Sequence, residues 1–183
     1  MKILGIDPGL RKTGWGIVAW KNNSFSYIDD GFFFQNEELE LGQKLLRIFD
    51  RLSLLIKETK PDLRGIEQRF VGSGNVSSLK LGMVRGICIL TAAKLGVKTL
   101  EIQPKLVKKN ITGSGVASKD QVSLMVKNIL NIVPKSEDSS DALAVAMSIQ
   151  SKSFGKLDNG EYSSKLDQAI ANALEKEKVN MQK

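Results

Sequence analysis

The 183-residue chain has no histidine and a single cysteine, Cys88. Without histidine, Ser-His-Asp and Cys-His catalysis are excluded, and so are imidazole metal ligands. A single cysteine excludes an intrachain disulfide and a Cys-based zinc site, and Cys88, inside the apolar stretch GICILTAAKLG, reads as a core filler. No window approaches the ~18 uninterrupted apolar residues of a membrane span. The opening MKILGID has neither the apolar segment of a signal peptide nor the Arg-rich pattern of a transit peptide. These absences point to a cytoplasmic protein with no membrane partner. Any acid, base or metal ligand must come from carboxylates, lysines or tyrosines.

What is present suits one domain with a real core: 42% hydrophobic residues and 26% charged ones. The net charge of +7 favours a polyanionic partner. Residues 151 to 183 carry only +1 of it, so the body carries +6. Positions 105 to 119, KLVKKNITGSGVASK, hold four lysines and no acid, and read either as a solvated loop or as a segment tracking phosphates.

The runs ILGIDPG, TGWGIVAW and SFSYIDDGFFF, broken by glycines and by Lys21-Asn22-Asn23, predict a three-stranded meander. Leu45, Phe49, Leu52 and Ile56 recur at helical spacing between Leu39 and Lys60, and Pro61 marks the stop. LRGIEQRF reads as a strand. Ser77 to Lys94 reads as a helix with two apolar stripes, Leu79, Met83, Ile87 and Leu90 on one and Leu81, Val84, Cys88 and Thr91 on the other, as expected of a helix buried on two sides. VKTLEIQP is the last strand; a loop runs through Gly113-Ser114-Gly115, Lys119 to Leu130 is helical, and Pro134 and Ser136 announce a final core helix, DSSDALAVAMSIQ. The result is a mixed α/β sheet covered by helices, over residues 1 to 152. Residues 153 to 183, rich in Ser, Lys, Asp and Asn with a weakly amphipathic stretch at 165 to 178, read as an appendage.

Four acids sit beside core-forming sequence. Asp7 ends the first strand and Glu67 follows Ile66 at the end of the fourth; Asp138 and Asp141 lie one turn apart at the start of the last helix. Each has an ordinary alternative: Asp-Pro-Gly is a turn, Glu67 could pair with Arg64 or Arg69, and Asp near a helix start is a common cap. If the two strands are adjacent and the helix crosses their ends, the four carboxylates converge, and their repulsion calls for cations. All-oxygen ligands suit Mg²⁺ or Mn²⁺, and two such ions about 4 Å apart would clamp the attacking and leaving oxygens of a phosphodiester.

The ordered stretches GIDPGLRKTGWG, PDLRGIEQRF, SSLKLGMVRG, TGSGVASKDQV and EDSSDALAVA resemble the RuvC-type Holliday junction resolvases across residues 1 to 150. The resemblance implies a ribonuclease H-like mixed five-stranded sheet flanked by helices. It also implies that Asp7, Glu67, Asp138 and Asp141 bind two Mg²⁺, with Mn²⁺ as a substitute, in a homodimeric nuclease that nicks opposed strands of four-way junction DNA. Lys119 matches a catalytic-site lysine that would stabilise charge on the scissile phosphate. Lys108 is a second basic position, and Phe70 matches an aromatic that would stack on opened bases. The helix from Ser77 to Lys94 matches the family's dimer helix, and a branch-migration motor is the implied partner complex. The stretch Ser73-Gly74-Asn75 departs from the family's usual Lys-Asn pair. Two rival readings are a non-catalytic nucleic-acid-binding module and a fragment of an actin-like ATPase, for whose second half and adenosine-binding motif the chain is too short.

Overall fold

In the computed structural model, which describes residues 1–68 and 76–149, the chain begins with the expected meander: β1 (Lys2–Asp7), β2 (Lys12–Lys21) and β3 (Ser24–Phe34), paired antiparallel in turn. Asn22 and Asn23 make the β2–β3 turn with φ of 51° and 59°. A two-residue turn with both φ positive matches the twist of the strands, and asparagine is among the side chains that tolerate it. Further along, Ile17 faces Asp29 while Val18 faces Tyr27. Ile28 is therefore an extra residue, a β-bulge in the edge strand.

After α1 (Leu41–Thr59), β4 (Leu63–Glu67) lies parallel to β1 on its other side. α2 (Val76–Lys94) then leads to β5 (Thr99–Ile102), parallel to β4. The sheet order is β3-β2-β1-β4-β5. Three helices complete the described chain: α3 (Pro104–Thr112), α4 (Lys119–Leu130) and α5 (Glu137–Ser148).

The period of two sorts the strands onto two cores. Ile3, Val18, Leu63 and Ile102 face α5, with α3 and α4 packed around it. Leu4, Ile6, Ile17 and Ile66 face α1 and α2. α1 buries Ile48, Leu52, Leu55 and Ile56 and ends at Lys60 in the left-handed region, immediately before Pro61. In α2 the stripe of Val84, Cys88 and Thr91 is buried, whereas Leu79 and Leu90 of the other stripe are 61% and 58% exposed. By length and composition alone α2 would pass for a membrane span, with a mean hydropathy of 1.4. Lys80 and Arg85 interrupt the run, and its buried stripe belongs to the α1-side core.

The stretch between β5 and Gly113, expected as part of a loop, is instead α3, and the loop is confined to the residues from Gly113 to Ser118. Pro104 opens the helix with a pre-set φ, Gly113 closes it in the left-handed region (φ 80°), and Val107 and Ile111, one turn apart, are buried. Lys105, Lys108 and Lys109 are therefore helical residues. α5 is packed unusually close. A methyl group on Gly5 of β1 would lie 1.9 Å from the Ala142 carbonyl oxygen, so only glycine admits the helix at this distance.

Candidate active site

Ile6 pairs with Ile66 in the β1–β4 ladder, so Asp7 and Glu67 are the next residues on two adjacent parallel strands. Both follow inward glycines, Gly5 and Gly65, whose missing side chains make room for α5. By alternation both therefore belong to the α5 face, at the carboxyl ends of their strands. Asp7 is 8% exposed. Across the other ladder it faces Gly14, and a methyl group there would lie 2.1 Å from the Asp138 carbonyl oxygen. The first turn of α5 thus comes down onto the β1–β2 ladder beside Asp7.

α5 starts with a capping box: Ser136 Oγ accepts from the Ser139 amide at 3.1 Å, and Ser139 Oγ accepts from the Ser136 amide at 3.0 Å. Glu137 and Asp138 occupy the first turn, where the helix dipole favours negative charge. α4 starts with a second capping box, Ser118 with Gln121. Its first residue is Lys119, a cation at the wrong end of a helix for the dipole. What offsets this is Asp141, whose Oδ2 lies 3.0 Å from Lys119 Nζ.

Asp7, Glu67, Asp141, Lys108 and Lys119 line one cavity of about 70 Å³, floored by Val107, Val122, Ala144 and Val145. A wider depression beside it shares Lys119 and Asp141 and adds Lys127, Glu137 and Ser140. Three of the four expected acids and both expected lysines are thus brought together. Asp138 is not among the lining residues; its Oδ2 lies 2.6 Å from Lys12 Nζ, which also sits 4.1 Å from the centre of the Phe32 ring. Lys12 lies five residues after Asp7 in GIDPGLRKTGWG, where no local pattern marks it; its pairing is a through-space consequence of the close approach of α5 at Gly14. Phe70 lies outside the described residues.

The donor set fits a hard divalent cation: carboxylate oxygens, no imidazole and no thiolate. Lysine ammonium groups lie against Asp138 and Asp141, so the acids already sit where positive charge is favoured. Among the described residues, no group of three or more acidic side chains is drawn together tightly enough to hold a metal ion.

A mixed sheet in this order, with helices packed on both faces, places the chain among the ribonuclease H-like folds. The chain belongs to the RuvC family of crossover junction endodeoxyribonucleases, whose model matches residues 3–149. It is 39% identical over 148 residues to the crossover junction endodeoxyribonuclease RuvC of Bradyrhizobium diazoefficiens, covering 80% of this chain and 85% of the relative. The RuvC of Ruegeria pomeroyi is 40% identical, with 80% and 89% covered. Among solved structures, Thermus thermophilus RuvC in complex with Holliday junction substrate superposes with a TM-score of 0.78 at 28% identity, over 84% of this chain and 94% of the other. The yeast mitochondrial Holliday junction resolvase shares the fold at 14% identity, with a TM-score of 0.57 over 80% and 77%.

Proposed function

We propose that this chain is a structure-selective endonuclease that resolves four-way DNA junctions by metal-dependent phosphodiester hydrolysis. The observation that carries the reading is the single cavity lined by Asp7, Glu67 and Asp141 together with Lys108 and Lys119. Family membership supports it, as does the likeness to a relative solved on a Holliday junction.

In this reading Asp7, Glu67, Asp138 and Asp141 hold Mg²⁺, two ions per site, with Mn²⁺ able to replace them. When bound, the ions supply Lewis-acid activation of the attacking water and of the leaving oxygen. The protein's own part is placement. Asp7 and Glu67 ride on the rigid sheet, while Lys119 and Lys108 face the phosphate and stabilise the charge that builds on it. No protein nucleophile is needed. Phe70 stacks on bases opened at the junction.

Two symmetric cuts need two sites facing a two-fold junction, hence a homodimer. The exposed stripe of α2, with Val76, Leu79, Met83 and Leu90, is the surface proposed for it. Residues 1–152 act as the nuclease domain and 153–183 as an appendage, in a cytoplasmic enzyme presented with junctions by a branch-migration motor.

The test is a synthetic four-way junction incubated with and without Mg²⁺. Paired symmetric nicks that require the metal are expected, and Asp7→Asn is expected to lower nicking by at least ~10²-fold while junction binding persists. Binding without cleavage would favour a non-catalytic binding module. Full cleavage by Asp7→Asn would remove the four-carboxylate site.

A further inference from the structure

Asp30 lies in the middle of β3 and is 1% exposed. A carboxylate in a core is tolerated only where donors surround it. Asp30 has three, one from its own strand and two from the distant start of α5. The Tyr27 hydroxyl donates to Oδ1 at 2.6 Å, while the Lys135 amide and the Ser139 hydroxyl donate to Oδ2 at 2.8 and 2.5 Å. Burial, first, and then Asp30 itself push the Tyr27 hydroxyl far above its ordinary range, so it stays a donor.

The two donors on Oδ2 bracket the start of α5. Lys135 precedes the capping residue Ser136, and Ser139 is the reciprocal member of the capping box, between Asp138 and Asp141 in sequence. The bulge at Ile28 makes this possible. With Tyr27 facing α5, an unbroken strand would present Asp29 next on that face; the extra residue hands the position to Asp30. Asp29 instead takes the Lys135 ammonium at 2.6 Å, outside the core.

We propose that Asp30 is a positioning residue that pins the first turn of α5 to β3 and thereby sets Asp141 into the cavity with Asp7 and Glu67, with Asp138 held beside it. The consequence for catalysis rests on the nuclease reading above; the pinning itself does not. The acids come from two bodies, sheet and helix, and Asp30 ties the two at the helix end where the acids lie. A displacement of about 1 Å between such bodies is enough to cost ~10²-fold in rate.

The test uses the full chain with Asp30→Ala, Asp30→Asn, Ser139→Ala and Ser136→Ala. By amide hydrogen exchange, Asp30→Ala is expected to speed exchange at residues 138–142 by about tenfold or more while residues 144–148 keep their protection. In single-turnover nicking of a saturating four-way junction in Mg²⁺, it is expected to be about 10- to 100-fold slower, with metal-free junction affinity within about twofold of wild type. Asp30→Asn is expected to restore most of both. Its carbonyl can accept from Lys135 and Ser139, and its amide can donate to the Tyr27 oxygen. If Asp30→Ala does not fold, Ser139→Ala removes the link to Asp30 together with the capping bond from the Ser136 amide, and is expected to speed exchange in the same first turn about threefold beyond Ser136→Ala, which breaks the capping box and leaves the Asp30 links in place. Unchanged exchange at 138–142 in whichever variant folds would overturn the proposal. So would acceleration across the whole domain, or an Asp30→Asn as impaired as Asp30→Ala. A wild-type protein that fails to nick would count against the nuclease reading and leave the exchange measurement to decide the pinning.

Discussion

The two faces of the sheet are built on opposite principles. Towards α5 the strands present glycine, the helix presents Ala142 and Ala146, and backbone meets backbone. Asp30 and Ser139, two of the buried polar groups there, are hydrogen-bonded to each other and to their surroundings. Towards α1 and α2 the filling is ordinary Leu and Ile, yet Arg64 is wholly buried among it. Its Nη1 donates to the Cys88 carbonyl, while Nε and Nη2 have no hydrogen-bond partner among the described residues. Burial pushes the Arg64 guanidinium down to about 10 and the neighbouring Cys88 thiol up to about 11. One face is optimised for approach and carries the acids; the other fills volume and tolerates an imperfection.

The largest expected effect is on the close-packed face. Gly5→Ala forces sheet and helix apart against backbone atoms and is expected to cost about 3 kcal/mol or more in urea unfolding, with junction nicking lost in parallel. A cost under about 1 kcal/mol would mean that approach does not limit this face. On the opposite face Arg64→Met removes a buried charge without emptying the space and is expected to stabilise by about 1–2 kcal/mol in the same assay. Destabilisation would show that Arg64 holds α2 in place. Gly42→Ala, in open space on α1, is expected to add about 0.5–1 kcal/mol to the unfolding free energy.

The smallest effect sharpens the outer edge of the α5 face. Burial raises the Asp29 pKa, but hydrogen bonds and charge from Lys135 outweigh it, with help from the Asp30 amide and Tyr27, and the net direction is down. A carboxylate lowered on folding contributes stability above its unfolded pKa of about 3.9, and that stability is lost as pH falls through the lower folded value. Wild type is therefore expected to exceed Asp29→Asn in melting temperature near pH 6, and the gap is expected to shrink by pH 3. Both side chains of the pair are about half exposed, so screening keeps the gap to a few tenths of a kcal/mol.

The place of the acids at the strand ends is legible from sequence because each directly follows an apolar run. Asp7 and Glu67 are such residues, and the five strands follow from alternation and turn chemistry. α3 is not legible in the same way: its buried pair, Val107 and Ile111, is a single helical repeat among lysines, too short a signal to beat a loop. Asp138's partner Lys12 depends on how closely α5 approaches Gly14, a distance no local pattern encodes. Asp30 is hidden for a different reason. Alternation assigns the inward place to Asp29, and a bulge cannot be read from a strand of SFSYIDDGFFF composition.

That bulge also says something about chain length. Ile17 already faces Asp29 and Val18 already faces Tyr27, so the strand could lose Ile28 and every other residue of β3 would keep its present opposite number. Ile28 is 41% exposed and fills no core. A one-residue deletion usually inverts half a strand; here it would restore a regular ladder, making position 28 a place where the chain can shorten without any side chain changing sides.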